Sequence, residues 1–336
     1  MHDDIITLAH GGGGLRSQQL IQELIFAQLK DGMPARLDDS ACFTTPGNTL
    51  AMTTDSYVVS PLFFPGGDIG MLAACGTLND LAMQGARPTH ISLAMILEEG
   101  TRLADLERAI ASFVAVCQKI GVTLATGDTK VVERGRGDGI FLNTTGIGPV
   151  LPDIDVYVGN ARPGDSVLVS GTMGDHGIAV LSCREEMGIT TSVESDAAPL
   201  WPMVEQLLTE MPSIHCLRDP TRGGLAAALC DIASASQVGI RFAEQAVPTL
   251  PQVDGVCDLL GLDVFSVANE GKAVIVCPPE EEEKVLALLR RHPLGRKAAV
   301  IGTVVSEHPG MVVCATRSGG ERIVDMPSGE NLPRIC

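Results

Sequence analysis

The chain of 336 residues carries 24 Lys and Arg against 41 Asp and Glu, a formal net charge of −17, and 45% of its residues are hydrophobic. That is length enough for about two domains, each with a core of its own. An acidic surface repels phosphate backbones and aromatics at 3% leave no stacking platform for bases, so nucleic acid is excluded as a partner.

From the start of the chain, Met1–Gly14 lacks a basic stretch followed by an apolar one, and no later apolar run approaches the roughly 20 residues that span a bilayer. A cytoplasmic protein without a membrane partner is expected. Ser17 is placed to cap a helix from Gln18 to about Lys30, with Leu20, Ile21, Leu24, Ile25 and Leu29 on one stripe. Strands are predicted at Thr49–Thr53 and Tyr57–Ser60, and Pro65-Gly66-Gly67 turns into a helix from Ile69 to Gln84. A strand at His90–Leu97, a helix at Leu103–Ile120 and strands at Val122–Thr126 and Ile140–Val150 complete an alternating α/β half.

The pattern resets over Leu151–Pro163, and a boundary is placed near residue 153. The second half predicts strands at Ser166–Ser170, Lys272–Cys277, Ala299–Ser306 and Met311–Thr316. Its helices fall near Gly177–Glu186, Leu200–Met211, Gly224–Ser236 and Pro279–Arg291. The expected organisation is an α/β domain over 1–152, an α+β domain over 153–325, and a mobile tail over 326–336, where Pro327, Gly329 and Pro333 break any periodicity.

Neither GxxxxGK[ST] nor a GxGxxG after a strand occurs, which excludes a P-loop NTPase and an ordinary dinucleotide-binding domain. What stands in their place is a set of aspartates. Asp38 and Asp39 are adjacent, Asp55 and Asp128 lie at strand ends, and Asp80 follows Asn79 inside an apolar helix, where an acid without a partner is costly. Singly, each is explained as a turn former or helix cap; together they suit Mg2+, which takes a few carboxylates plus phosphate oxygens. Gly11–Gly14 directly precedes a helix and could bring N–H groups to a phosphate, with a flexible linker the plain alternative; Gly171–Gly177 and Asp219-Pro220-Thr221-Arg222-Gly223-Gly224 each open a helix and could be anion sites, with a glycine-assisted turn the plain alternative. His176 and Glu270 are the candidate proton acceptors.

None of the ten cysteines forms a CxxC, so reduced thiols are expected, with Cys117, Cys183, Cys230 and Cys277 filling cores. Cys336 differs. It ends the proline-stiffened arm Asn331-Leu332-Pro333-Arg334-Ile335-Cys336, where a structural role is hard to assign and an adventitious thiol is the plain alternative. Eleven residues from Met326 reach about 35 Å when extended, enough to visit a partner's site and the chain's own.

Taken in order, Gly12–Gly14, Thr54-Asp55-Ser56-Tyr57, Phe63-Phe64-Pro65-Gly66-Gly67, Thr126-Gly127-Asp128-Thr129-Lys130, Gly171–Gly177, Thr221-Arg222-Gly223-Gly224, Asn269-Glu270-Gly271-Lys272 and the closing Pro333-Arg334-Ile335-Cys336 resemble the HypE family of hydrogenase-maturation proteins. The last motif is highly specific. The glycine motifs are shared with the wider superfamily of aminoimidazole ribonucleotide synthetase, thiamin-monophosphate kinase and selenophosphate synthetase.

The resemblance implies an aminoimidazole ribonucleotide synthetase-like fold of two domains, with the N-terminal α/β half dimerising through its sheet and the C-terminal half α+β. It implies ATP-dependent dehydration of a carbamoyl group on Cys336 to a thiocyanate, giving the cyanide ligand of a NiFe hydrogenase iron. Catalysis would fall to Cys336, Glu270, Lys130 and His176. ATP would meet Gly12, Gly13, Asp55, Asn79, Gly127, Asp128, Thr129, Arg222 and Gly223, and Mg2+ would be held by Asp38, Asp55, Asp80 and Asp128, with Asp39 the alternative to Asp38. Implied partners are a second copy, the carbamoyltransferase HypF and a HypC–HypD iron scaffold. Two other readings compete: a small-molecule kinase or synthetase that needs no Cys336, and a non-catalytic scaffold whose tail cysteine docks a partner.

Overall fold

The computed structural model describes residues 12, 14–26, 38–184, 187–329, 332 and 334–336. Its first half is a five-stranded sheet in the order β1 (Ala41–Thr45), β2 (Asn48–Tyr57), β7 (Ile140–Pro149), β5 (His90–Glu98), β6 (Thr123–Val132). All neighbours are antiparallel except β5 and β6. A two-residue ribbon, β3 (Phe63–Phe64) with β4 (Gly67–Asp68), leads into the helices.

Helix α1 (Leu15–Gln19) runs into a π-helical turn over Leu20–Phe26. It starts three residues before the predicted helix: Gly14 precedes it, Ser17 lies buried within it, and the Leu15 amide donates to the Pro327 carbonyl at 2.9 Å. The predicted end at Lys30 lies outside the described residues. Helix α2 (Ile69–Met83) begins where Asp68 Oδ1 accepts from the amides of Gly70 and Met71 at 2.9 and 3.0 Å. It is apolar on nearly every face and accordingly buried on nearly every face, between the sheet, the second domain and α3 (Leu103–Ile120). The amphipathic α3 ends where Gly121 takes the left-handed conformation. Both helices cover one face of the sheet; Phe43, Met52 and Ile96 on the other face are 42 to 46% exposed.

The second half is a seven-stranded sheet in the order β14 (Glu321–Val324), β13 (Val312–Ala315), β10 (Gly239–Ala243), β12 (Ala299–Val305), β8 (Ser166–Val169), β11 (Val274–Cys277), β9 (Cys216–Arg218), antiparallel except for β10 with β13. Helix α6 (Gly224–Ser236) covers one face, and α5 (Trp201–Glu210) and α8 (Glu282–Arg291) the other. Helices α4 (Asp175–Ser182) and α7 (Pro251–Leu260) pack toward the first domain. Ala82 and Met83 of α2 enter the core of the second domain, so the two halves share packing. Among the described residues, no helix is long and apolar enough to cross a membrane.

Candidate functional site

Three carboxylates from distant parts of the chain meet between the domains. Oxygens of Asp39, Asp80 and Asp219 lie within 4.8 Å of one another. Asp80 projects from α2 and accepts from Thr53 Oγ at 2.7 Å; Asp219 follows β9, and Asp39 precedes β1. Burial pushes the Asp39 and Asp80 carboxyls well above the usual range and Asp219 up to about 6, and neighbouring carboxylates push each further. Among the described residues, Asp39 Oδ2 and Asp219 Oδ2 are buried without a hydrogen-bond partner. Like charges this close call for protons or a cation, and the orphaned oxygens are candidate ligand atoms with no partner among the described residues. The set fits Mg2+.

Asp38 is a correction to the predicted ligands. Its Oδ2 accepts from the Val158 amide at 3.2 Å, its Oδ1 accepts from the Asp39 amide at 2.9 Å, and Arg218 Nη1 stands 3.5 Å away. It braces the interdomain linker, and Asp39 is the residue turned into the cluster. Arg218 also pairs with Asp39 and, at 3.0 Å, with Asp231. Asp219, expected from the sequence only as part of a helix-opening turn, joins the cluster as well. Nothing local marks it as a ligand, because its partners are 139 and 180 positions away.

Asp55 stands beside this group: its charge raises Asp80 and Asp219, and its Oδ2 accepts from Thr77 Oγ at 3.2 Å. Glu270 is buried, and its carboxyl is pushed well above the usual range, by burial first and then by Asp219 and Asp196. Arg222 lies close enough to oppose that shift. The largest influence on Arg222 is the negative charge at Cys336, which raises its pKa.

The tail, predicted to be mobile, is docked. The Val58 amide donates to the Cys336 carbonyl at 3.0 Å and the Ser60 amide to the Arg334 carbonyl at 3.1 Å, an antiparallel pairing that extends β2. Arg334 Nε donates to the Val58 carbonyl at 2.9 Å, and its guanidinium pairs with Asp138. Ile335 and Leu332 are buried in the apolar cluster that the first domain shares with α4 and α7. His176, fully buried, bonds through Nε2 to the Ile335 carbonyl at 2.8 Å. Burial lowers its pKa, favouring the neutral ring. Through its Nε2 bond it grips the tail one residue before Cys336.

Other expected site residues fall elsewhere. Asp55 shares a cross-strand row with Thr144, Leu93 and Gly127, so three strand spacings, on the order of 14 Å, separate the two edges. Asp128 lies in the next row, with Ser56, Asn143 and Ala94, on the opposite face from Asp55. Asp128 and Lys130 pair at 2.6 Å, both exposed, and Thr129 beside them is exposed too; this chain does not bring them to its own acid cluster. Gly127 is a close approach: a Cβ there would meet the Leu93 carbonyl oxygen at 2.5 Å. Asn79 gives both amide protons to carbonyls, of Ala198 and Glu270 at 3.0 Å each, and accepts from the Leu200 amide at 2.7 Å. It ties the domains together where a nucleotide contact was expected. Gly12 and Gly223 line a small cavity with Arg222 and the tail, and Gly223 begins α6 at φ 77°. Gly13 lies outside the described residues.

Both halves match the AIR synthase related proteins: the model of their N-terminal domain matches residues 37–150 and that of their C-terminal domain residues 162–314. A thiamine monophosphate kinase from Aquifex aeolicus shares the fold at 18% identity, with a TM-score of 0.62 over 90% of this chain and 99% of that one. Carbamoyl dehydratase HypE of Cupriavidus necator is 50% identical over 98% of this chain and 95% of its own length, and that of Escherichia coli 45% identical over 98% and 99%. Among solved structures, a HypE–HypF complex superposes with a TM-score of 0.86 at 45% identity, covering 92% of this chain and 99% of that one. HypE in complex with ATP gives 0.83 at 47%, covering 98% and 100%. The chain belongs to the HypE family of carbamoyl dehydratases, which act in hydrogenase maturation.

Proposed function

We propose that the chain, an ATP-dependent carbamoyl dehydratase in cyanide-ligand synthesis, works on a carbamoyl group carried by its own Cys336 and converts it to a thiocyanate. The observation that carries this is the docked tail, which pairs with the backbone after β2 and brings the charge at Cys336 near enough to be the largest influence on Arg222. A scaffold that only displayed a cysteine would have no use for burying Ile335 and holding its carbonyl with His176. A kinase of a free metabolite would have no use for the tail.

The chemistry follows from the thiocarbamate. Its oxygen is a poor leaving group until it attacks the γ-phosphorus of ATP, expelling ADP. Loss of the two nitrogen protons and of phosphate then leaves S–C≡N. Mg2+ held by Asp39, Asp80 and Asp219, with Asp55 beside them, would supply charge neutralisation on the phosphate oxygens. Arg222 faces the negative charge that develops near Cys336. Glu270, in its ionised form, accepts one nitrogen proton, and the departing phosphate carries away the other. Tethering supplies high effective concentration and fixes the reacting oxygen in place.

For ATP itself, a cavity of about 600 Å3 opens under β1, lined by Ser40, Phe43, Gln84 and 150–156. Ser40 Oγ and Gln84 Nε2 are buried there without partners among the described residues, and Gln84 lies one helical turn beyond Asp80. We place the nucleoside in it, with the phosphates toward the aspartates. The exposed Phe43, Met52 and Ile96 favour a homodimer through the outer face of the first sheet. HypF would load the thiol, and a HypC–HypD scaffold would receive the cyanide for the iron of a NiFe hydrogenase. The reduced thiols expected from the sequence suit the cytoplasm.

Mass spectrometry of the C-terminal peptide, after carbamoyl loading and with or without Mg-ATP, tests the reading. The expected result is loss of one water from the Cys336 adduct, only with ATP. An unchanged adduct on folded, ATP-bound protein would defeat it.

A further inference from the structure

The irregular stretch before α5 carries two adjacent polar residues, Ser195 and Asp196, that reach different parts of the site. The Ser195 amide donates to the Pro65 carbonyl at 2.8 Å, and Ser195 Oγ lies 2.8 Å from His176 Nδ1 and accepts from the Ala197 amide at 3.1 Å. Asp196 Oδ1 accepts from the Glu270 amide at 3.1 Å, and its Oδ2 accepts from Lys272 Nζ at 2.9 Å. Both members of that ion pair are buried, with side-chain exposures of 4% and 10%. Ala198, two residues on, accepts from Asn79, the same side chain that donates to the Glu270 carbonyl.

The proton positions on His176 follow from its partners. The Ile335 carbonyl can only accept, so Nε2 carries the proton; in a neutral ring Nδ1 is then an acceptor, and the Ser195 hydroxyl donates to it. Remove that hydroxyl and the ring is free to carry its proton on Nδ1, turning a lone pair on Nε2 toward the carbonyl it holds. Ser195 thus selects the tautomer that grips the tail. Asp196 acts one residue away on the other reactant, fixing the backbone of Glu270 at its N–H while Asn79 fixes it at its C=O.

We propose that Ser195 and Asp196 are the positioning pair of the reaction, one registering the Cys336 tail through His176 and the other registering Glu270, so that one rigid segment sets the distance between substrate and base. The inference rests on the reading of Cys336 as the carrier. Neither residue touches the reacting atoms. A covalent tether alone leaves the carbamoyl group free to sample many orientations, and misplacement by about 1 Å is enough to lose much of the rate.

The test compares full-length wild type with Ser195→Ala, Ser195→Thr and Asp196→Asn in three measurements: iodoacetamide alkylation of Cys336 followed on its peptide, ATP-dependent water loss from the carbamoylated thiol, and thermal melting. In Ser195→Ala, alkylation is expected to quicken roughly five- to tenfold, the worth of one hydrogen bond, with dehydration slowed and the KM for ATP unchanged. Ser195→Thr, which keeps the hydroxyl, restores both. Asp196→Asn lowers kcat about tenfold or more at constant KM for ATP, and leaves Cys336 alkylation at the wild-type rate.

Wild-type behaviour of both Ser195→Ala and Asp196→Asn overturns the proposal. So does a common loss of melting temperature, rate and tail protection that Ser195→Thr fails to restore, since that is the mark of a merely structural segment. If wild-type carbamoyl-Cys336 is never dehydrated, the carrier reading is what fails, and the alkylation rates still decide whether Ser195 holds the tail.

Discussion

Asp38 and Asp39 are neighbours in sequence with opposite duties. Asp38 has each oxygen occupied by a backbone amide, and its side chain is 1% exposed; Asp39 keeps one oxygen without a partner beside Asp80 and Asp219. The two asparagine variants therefore separate. Asp39→Asn should raise the Mg2+ concentration for half-maximal activity about tenfold with little loss of melting temperature, because it removes a ligand and relieves crowded like charge. Asp38→Asn should instead cost about 1 to 3 kcal/mol of stability and leave the Mg2+ requirement close to wild type. Activity against Mg2+ concentration, together with melting curves, checks both. Glu270 carries a second prediction. It must be unprotonated to accept a proton, and burial raises its pKa, so the rate should climb with pH along a limb displaced above the ordinary glutamate range near 4.5. A raised folded-state pKa also means that the charged form costs stability once pH exceeds the unfolded value. Glu270→Gln should thus lose the rate by about a hundredfold or more while melting no lower at pH 7.5, and the pH profile of single-turnover dehydration measures the limb.

At the scale of elements, legibility followed apolar periodicity. Helix α3 and helix α6 have the predicted bounds, and α2 ends one residue early, because long stripes or long apolar runs with clear caps leave little choice. The omissions have physical causes. Strand β6 runs on to Val132, six residues past its predicted end, since pairing with β5 continues through Gly127, Asp128 and Lys130 without any apolar signal. Strand β14 is exposed at three of its four positions and β9 is three residues long, so neither carries a pattern. Helix α7 opens on Pro251 and contains Gly255, which reads as turn chemistry although proline suits a first turn. The aspartates of the first half were visible as a set, but Asp219, Ser195 and Asp196 acquire meaning only from contacts across the domains. One glycine shows how tightly these elements set the site: Gly70 in α2 faces the Ala109 backbone of α3, where a Cβ would overlap the carbonyl. Gly70→Ala must push the helices apart, and a loss of about 1 to 3 kcal/mol in chemical denaturation is expected, with Asp80, borne on the same helix, displaced and the Mg2+ requirement raised.

For the whole molecule, the decisive fact is that Asp128 and Lys130 point away from the acid cluster of their own chain, on the sheet face that also carries the exposed Phe43, Met52 and Ile96. If that face is where two copies meet, the pair lies at the junction, and a twofold contact gives each chain the other's Asp128 and Lys130. Each catalytic centre would then be composite, with Glu270, the aspartates and the tail from one chain and the cationic Lys130 from its mate. Complementation distinguishes this from service within one chain. Lys130→Ala and Glu270→Gln are each expected to be inactive as homodimers. Mixed under conditions that exchange subunits, half of the dimers are mixed, and a composite centre leaves each of those one intact site. About a quarter of wild-type activity should return at equal mixing of a closed dimer. Lys130 acting within its own chain predicts no recovery, since no chain in the mixture holds both residues. Sizing the mixture and the parents by light scattering separates that outcome from a failure to dimerise, and Met52→Glu with Ile96→Glu should shift the assembly to monomers and abolish activity without lowering the melting temperature of the single chain.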